Sequence, residues 1–367
     1  MFRRRGLQAN LSQQSADGER KGGDWGETYA SEPRRGKTRP VIFIGVGVAC
    51  FLFCWALFWP RESPDAVRWQ KVAVLTGHLS PIQTVVFSPD GLRLASRDHE
   101  GRLLIWDWQT RRQLADFHAD DERILSLAFS PDGKTVVTGS AAGIVKIWDP
   151  TRAKEIRTLV GHNSGVVGVA FSPDGSLLTT ATSNGFVKIW DAFTGKERSS
   201  WKTTHRLDIT SMAFSPDGKT LATGSLDRSV KLWDPATGSE RSALEQTSGG
   251  VYAFAFIHGH NSLATAGADG TINIWDLDSH QATQTLEATD TLLLGLAASA
   301  DGRKLMAGSM DGSVYLWDLD SHQERITLCE GRKGRWLKAV AFAPNADRLA
   351  FGTNANYSLE GWEMTTQ

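Results

Sequence analysis

Seven tryptophans recur along the chain at an almost constant interval, and that interval restricts the fold to a serial array. Trp106, Trp148, Trp190, Trp233, Trp275, Trp317 and Trp362 are separated by 42, 42, 43, 42, 42 and 45 residues. Six of them sit in Ile-Trp-Asp or Leu-Trp-Asp; the last reads Gly-Trp-Glu. Nineteen residues before each of the first five stands a phenylalanine: Phe87, Phe129, Phe171, Phe214 and Phe256. The first four of these are followed by Ser-Pro-Asp-Gly, ending at Gly91, Gly133, Gly175 and Gly218. A period of this length marks one supersecondary unit written repeatedly.

Each unit follows the same physical logic. An alternating stretch such as GVVGVAF reads as a half-buried strand. Ser-Pro-Asp-Gly is a tight turn: proline sets φ, aspartate bonds the local backbone, and glycine takes the left-handed position. A second strand (KTVVTGS), a glycine turn and a third strand (GIVKIWD) follow. A more polar fourth strand (KEIRTLV) leads into the next unit. Four short strands without a helix make one small antiparallel sheet. Such a sheet cannot bury both faces alone, so its neighbours must stack on it.

The period, the Ser-Pro-Asp-Gly turn and the terminal Trp-Asp resemble the WD40 repeat family over residues 69–367. The resemblance implies an all-β fold, a seven-bladed β-propeller. Only five residues follow Trp362, so the seventh unit shows no fourth strand of its own. The resemblance implies that an N-terminal strand, 69–76, completes that blade and leaves no open edge. It also implies a buried hydrogen-bonded set in each unit, made of His, Ser or Thr, Asp, and Trp. The fourth unit matches fully with His205, Thr223, Asp227 and Trp233. The first offers His78, Ser96, Glu100 and Trp106, with a longer acid. The third offers His162, Thr180, Asn184 and Trp190, without the charge. The second has Asp120 and Ala142 at the His and Asp positions; the fifth and sixth keep Asp269 and Asp311 but lack the His.

A different feature precedes the repeats. Val41–Trp59 is a run of 19 uncharged, mostly apolar residues. At 1.5 Å per residue a helix of this length just crosses a bilayer core. Residues 1–40 read as a polar, basic, disordered tail, 41–59 as a transmembrane helix and 60–68 as a linker. Arg34, Arg35, Lys37 and Arg39 precede the run, whereas mixed charges follow it. The positive-inside rule therefore places the N-terminus in the cytoplasm and the propeller outside it, in the periplasm of a bacterium or the secretory lumen of a eukaryote. A cleaved signal peptide is the competing reading, but the leader is long and no small-x-small site follows convincingly.

Bulk composition excludes several classes. The formal net charge is −1, so no global basic field points to nucleic acid. Three cysteines, two of them inside the apolar run, give no disulfide framework and no CxxC site; Cys329 reads as a buried thiol. An Asp–His–Ser set suggests a hydrolase, but a set repeated in several blades serves the fold, whereas a nucleophile needs one exposed copy. His258, His260, His280 and His322 share one expected face without metal-ligand spacing. No catalytic residue, metal or cofactor is therefore expected.

Partners are expected on the opposite face, where loops between rigid strands vary freely. Candidates are Arg97, His99, Asp121, Arg206, Leu226, Met310, Lys333, Arg335 and Trp336, the last beside basic residues in the manner of interface anchors. The reading is a monomeric, membrane-anchored scaffold that binds an unknown protein or peptide. Alternatives are an extracytoplasmic enzyme or carbohydrate-binding or small-ligand-binding propeller, and a cytoplasmic regulatory subunit of inverted topology. The decay of the buried sets makes blades two and five to seven less rigid than one, three and four. Hydrogen exchange is expected to find blade four among the slowest to open.

Overall fold

The computed structural model describes residues 68–118, 123–245, 249–320, 325–331, 336–353 and 356–365. The expected tail, the apolar run 41–59 and residues 60–67 of the linker lie outside them. Arg68, expected in the linker, instead opens the first strand, Arg68–Thr76. Among the described residues none belongs to a helix, so no helix there is long and apolar enough to cross a membrane.

Among the described residues, twenty-eight strands form seven four-stranded antiparallel sheets. Six sheets take their strands in sequence order. The seventh joins Val340–Phe342, Arg348–Thr353 and Ser358–Thr365 to the N-terminal Arg68–Thr76. Thr76 pairs with Ser358 and Arg68 with Thr365, so the two ends of the propeller are hydrogen-bonded to each other. These are the seven blades of a closed ring.

The core is not one mass but seven layers, each between consecutive blades. In blade two, Val136 packs towards blade one with Leu103, Ile105 and Trp148. Its neighbour Val137 packs towards blade three with Val166, Val169 and Trp190. Successive side chains of a strand point to opposite faces, so a strand squeezed between two blades is apolar on both. The second strands accordingly show unbroken burial, as in Val136–Ser140 and Leu221–Ser225. The fourth strands, at the rim, are mostly exposed, as in Lys154–Leu159. Cys329 lies on such a rim strand, Ile326–Cys329, and is half-buried rather than buried.

The closing layer joins blades seven and one and carries its own wedge. Trp108, just past the first Trp-Asp, is 2% exposed and packs with Ala73, Leu75, Ala350 and Leu359. Its indole N–H donates to Glu363 Oε1 at 2.9 Å, and Arg111 stacks 4.5 Å over its ring. Gly361 makes the room: a Cβ there would stand 2.6 Å from Trp108 Cη2. Other repeats put Ile or Leu at the position of Gly361, so the irregular Gly-Trp-Glu is one half of a large–small pair. Trp108→Ala is expected to cost about 3–5 kcal/mol, the usual range for emptying a buried Trp site. Gly361→Leu alone should destabilise through overpacking. The double variant Trp108→Ala/Gly361→Leu should be more stable than the sum of the two, a coupling measurable by urea unfolding.

Candidate partner-binding face

Four antiparallel strands per blade put the fourth-to-first and second-to-third connections on one side of the ring. The buried sets hold these connections in place. In blade one, Trp106 Nε1–H donates to Ser96 Oγ at 2.8 Å. The Ser96 hydroxyl lies 2.7 Å from His78 Nε2, and His78 Nδ1 lies 3.0 Å from Asp98 Oδ2. The acid is therefore Asp98 and not Glu100, which is exposed. Asp98 is also closer to the backbone it must hold, accepting from the N–H groups of Glu100 and Arg102. Burial opposes charge on Asp98, but the His78 bond and those N–H groups outweigh it and hold the carboxyl below its usual range. Ser96 is 0% exposed, so its hydroxyl meets no substrate. The relay has the order of a hydrolase triad and the access of a core.

Blade four repeats the arrangement with the acid two positions later. His205 Nδ1 lies 3.1 Å from Asp227 Oδ2, and its Nε2 lies 2.8 Å from Thr223 Oγ1. Thr223 accepts from Trp233 Nε1 at 2.8 Å. Burial again works against Asp227, yet the Ser229 hydroxyl, the Arg206 N–H and His205 hold it at about 2. Blade three is incomplete. His162 Nε2 reaches Thr180 Oγ1 at 2.6 Å, and Thr180 accepts from Trp190, but Nδ1 is buried without a partner. Asn184 does not reach it; its Oδ1 accepts from Thr182 instead. The Trp–hydroxyl bond also survives without histidine in blade two (Thr138) and blade five (Thr265). Residue type at the second-strand hydroxyl position carried that signal.

The surface candidates separate when placed. Arg97 is 3% exposed and is not a free surface residue. Its guanidinium crosses to blade two, donating to Ile124 O at 2.6 Å and Leu125 O at 2.7 Å. His99 and Arg206 are exposed, and Arg206 N–H donates to Asp227. Met310 is 52% exposed, Leu226 and Trp336 half-buried. Asp121, Lys333 and Arg335 lie outside the described residues. Leu79 and Leu207, 72% and 57% exposed, share this face and were missed; each follows closely on a buried-set histidine. Arg228 was missed too. It holds φ at 75°, where five other blades use a left-handed glycine at this turn. With Arg206 and Lys231 it borders a recess of about 590 Å³.

On the opposite face, His260 and His280 line one recess with Asp217, Asp278 and Arg241, while His322 lies outside the described residues. Among the described residues no three His, Cys, Asp or Glu side chains are grouped to hold a metal ion. The central channel is lined by the first strands, largely by Val, Ala and Phe; no carboxylate is among its described lining residues.

Seven four-stranded blades, Trp–hydroxyl bonds and a strand shared between the chain ends define a WD40-type β-propeller. The family model described as the first β-propeller of IFT122 matches residues 81–362, and the chain belongs to that family. No curated protein shows significant similarity to it.

Two measurements test the buried sets. Asp98→Asn should destabilise by about 1.5–3 kcal/mol, the range for a bond to a charged group, while Glu100→Gln should change stability little. Burial, helped by Lys188, pushes His162 down to about 4. The unfolded chain takes that proton near 6.5, so stability falls as the pH drops from 6.5 towards 4. His162→Gln should lessen the fall of the melting temperature across that window, with His205 and His258, also held down by burial, keeping the rest.

Proposed function

We propose that this chain is a protein-interaction scaffold whose partners dock on the face carrying the fourth-to-first strand loops. Membership of the IFT122 first-propeller family supports the scaffold reading. The observation that supports this face is its exposed apolar set, Leu79, Leu207 and Met310, among exposed His99 and Arg206. Apolar anchors rimmed by charge are the usual anatomy of a protein interface.

The finer part of the proposal concerns the apolar run 41–59. As a signal anchor it tethers the propeller to a membrane, with the tail in the cytoplasm and the ring outside it. A cysteine introduced at His99 should then react with a membrane-impermeant maleimide in intact cells; labelling only after lysis would reverse the topology.

Co-purification from mildly cross-linked membranes tests the scaffold. Partners recovered with the wild type should be lost with Leu79→Asp/Leu207→Asp/Trp336→Ala. An unchanged set of partners would move the site away from this face.

A further inference from the structure

The first strand of each blade lines the channel, and six of them carry the same irregularity. The register slips after the opening residue, so that Gln83, Leu125, Val167, Thr210, Tyr252 and Leu294 are bulged out of the ladder. A bulge re-aims its side chain. In the five blades that end this strand with phenylalanine, the bulged residue stands four positions earlier. Four positions before Phe342, which ends the same strand in blade seven, stands Lys338. Six neutral residues and one lysine thus occupy equivalent places at the loop-face end of the channel.

Two further cations lie near this lysine. Arg97 bonds the carbonyls of Ile124 and Leu125 at the bulge of blade two, and Arg123 immediately precedes that strand. The hydrogen-bond partners of Arg97 are carbonyls and the Thr84 hydroxyl, not carboxylates. Asp98 beside it is engaged by His78 and two backbone N–H groups. Among the described residues, neither the Arg123 guanidinium nor the Lys338 ammonium has a hydrogen bond or ion pair; the Arg123 carbonyl accepts from the Ala141 N–H at 2.9 Å. Gln83, on the strand packed between those of blades seven and two, holds Nε2 buried without an acceptor. The three charges sense one another: burial first, then Arg97 and Arg123, push Lys338 down to about 8. Lys338 is accessible to water yet ringed by protein, as befits a channel mouth. Three consecutive blades therefore present positive charge; the Arg97 donors are taken by carbonyls and a hydroxyl, whereas among the described residues Gln83 Nε2, Arg123 and Lys338 have no acceptor. Asp120, Asp121 and Glu122 lie outside the described residues.

We infer that Gln83, Arg97, Arg123 and Lys338 form an anion-recognition site at the channel mouth, and that it takes the carboxylates of an acidic segment in a partner protein. This rests on the scaffold reading and names the chemistry of the partner. Arg97 positions the site; Arg123 and Lys338 make the contacts. Desolvated charge pairs at such a mouth are stronger than those on an open surface.

The test uses the full-length chain in detergent and a dye-labelled peptide of alternating Glu and Ser, with its Gln/Ser counterpart. The Glu peptide should bind at least about tenfold more tightly than the Gln peptide, with a difference that shrinks as salt rises. Lys338→Gln and Arg123→Gln should each weaken it about tenfold with an unchanged melting temperature, and Lys338→Arg should restore it. Equal binding of both peptides, or no effect of Lys338→Gln, would overturn the site. Inorganic phosphate binding as tightly as the peptide would make it a free-ion site and overturn the partner assignment. Tighter binding of a single-stranded oligonucleotide would do the same. Cross-linked partners retained by Lys338→Gln in the absence of peptide binding would refute the site and leave the scaffold standing.

Discussion

Everything in this molecule depends on a sheet that is apolar on both faces. A four-stranded blade whose second strand is buried throughout cannot stand at the end of a stack. Each needs a neighbour on either side, and only a closed ring supplies one to every blade. The seven apolar layers are the thermodynamic content of that closure. The strand Arg68–Thr76 matters more than its length suggests, because it makes the last layer possible. Trp108 and Gly361 show that the closing layer is shaped for its own pair of blades.

The hydrogen-bonded sets solve a second problem that the layers create. Loops that must vary have to start from fixed points. An indole N–H, a hydroxyl, an imidazole and a carboxylate, all buried, tie the third strand to the second and to the incoming loop. Each polar group finds a partner in blades one and four, so burying it costs little. In blade three one imidazole nitrogen is left over, and the cost emerges as a histidine that resists protonation. The same groups that suggest catalysis are buried, with Ser96, His78 and Thr223 almost wholly out of reach of solvent.

The ring that makes the loops rigid also makes its own mouth. Seven equivalent positions, six of them bulged, place side chains around one opening, and symmetry brings any charge among them into the company of its neighbours. Blade seven contributes a lysine there, and blades one and two contribute arginines. A surface with almost no net charge can therefore hold a local concentration of one sign.

Repetition is what the sequence determined unaided: seven units, four strands in each and the turn between first and second strands; the closed propeller and the strand shared between its ends came from the family resemblance. A periodic pattern is a local property, and each copy repeats the evidence for the last. The Trp–hydroxyl pairing was legible through the same resemblance. Which acid completes blade one was not, because Asp98 and Glu100 lie two residues apart, and only the backbone they cap separates them. Nor could the strand order show that Arg97 turns inward to bond the carbonyls of blade two, or that the first strands of blades seven and one pack together. Those contacts join residues from different copies of the repeat. Tertiary structure alone decided them, since closing the ring brings blade seven against blade one across nearly the whole chain.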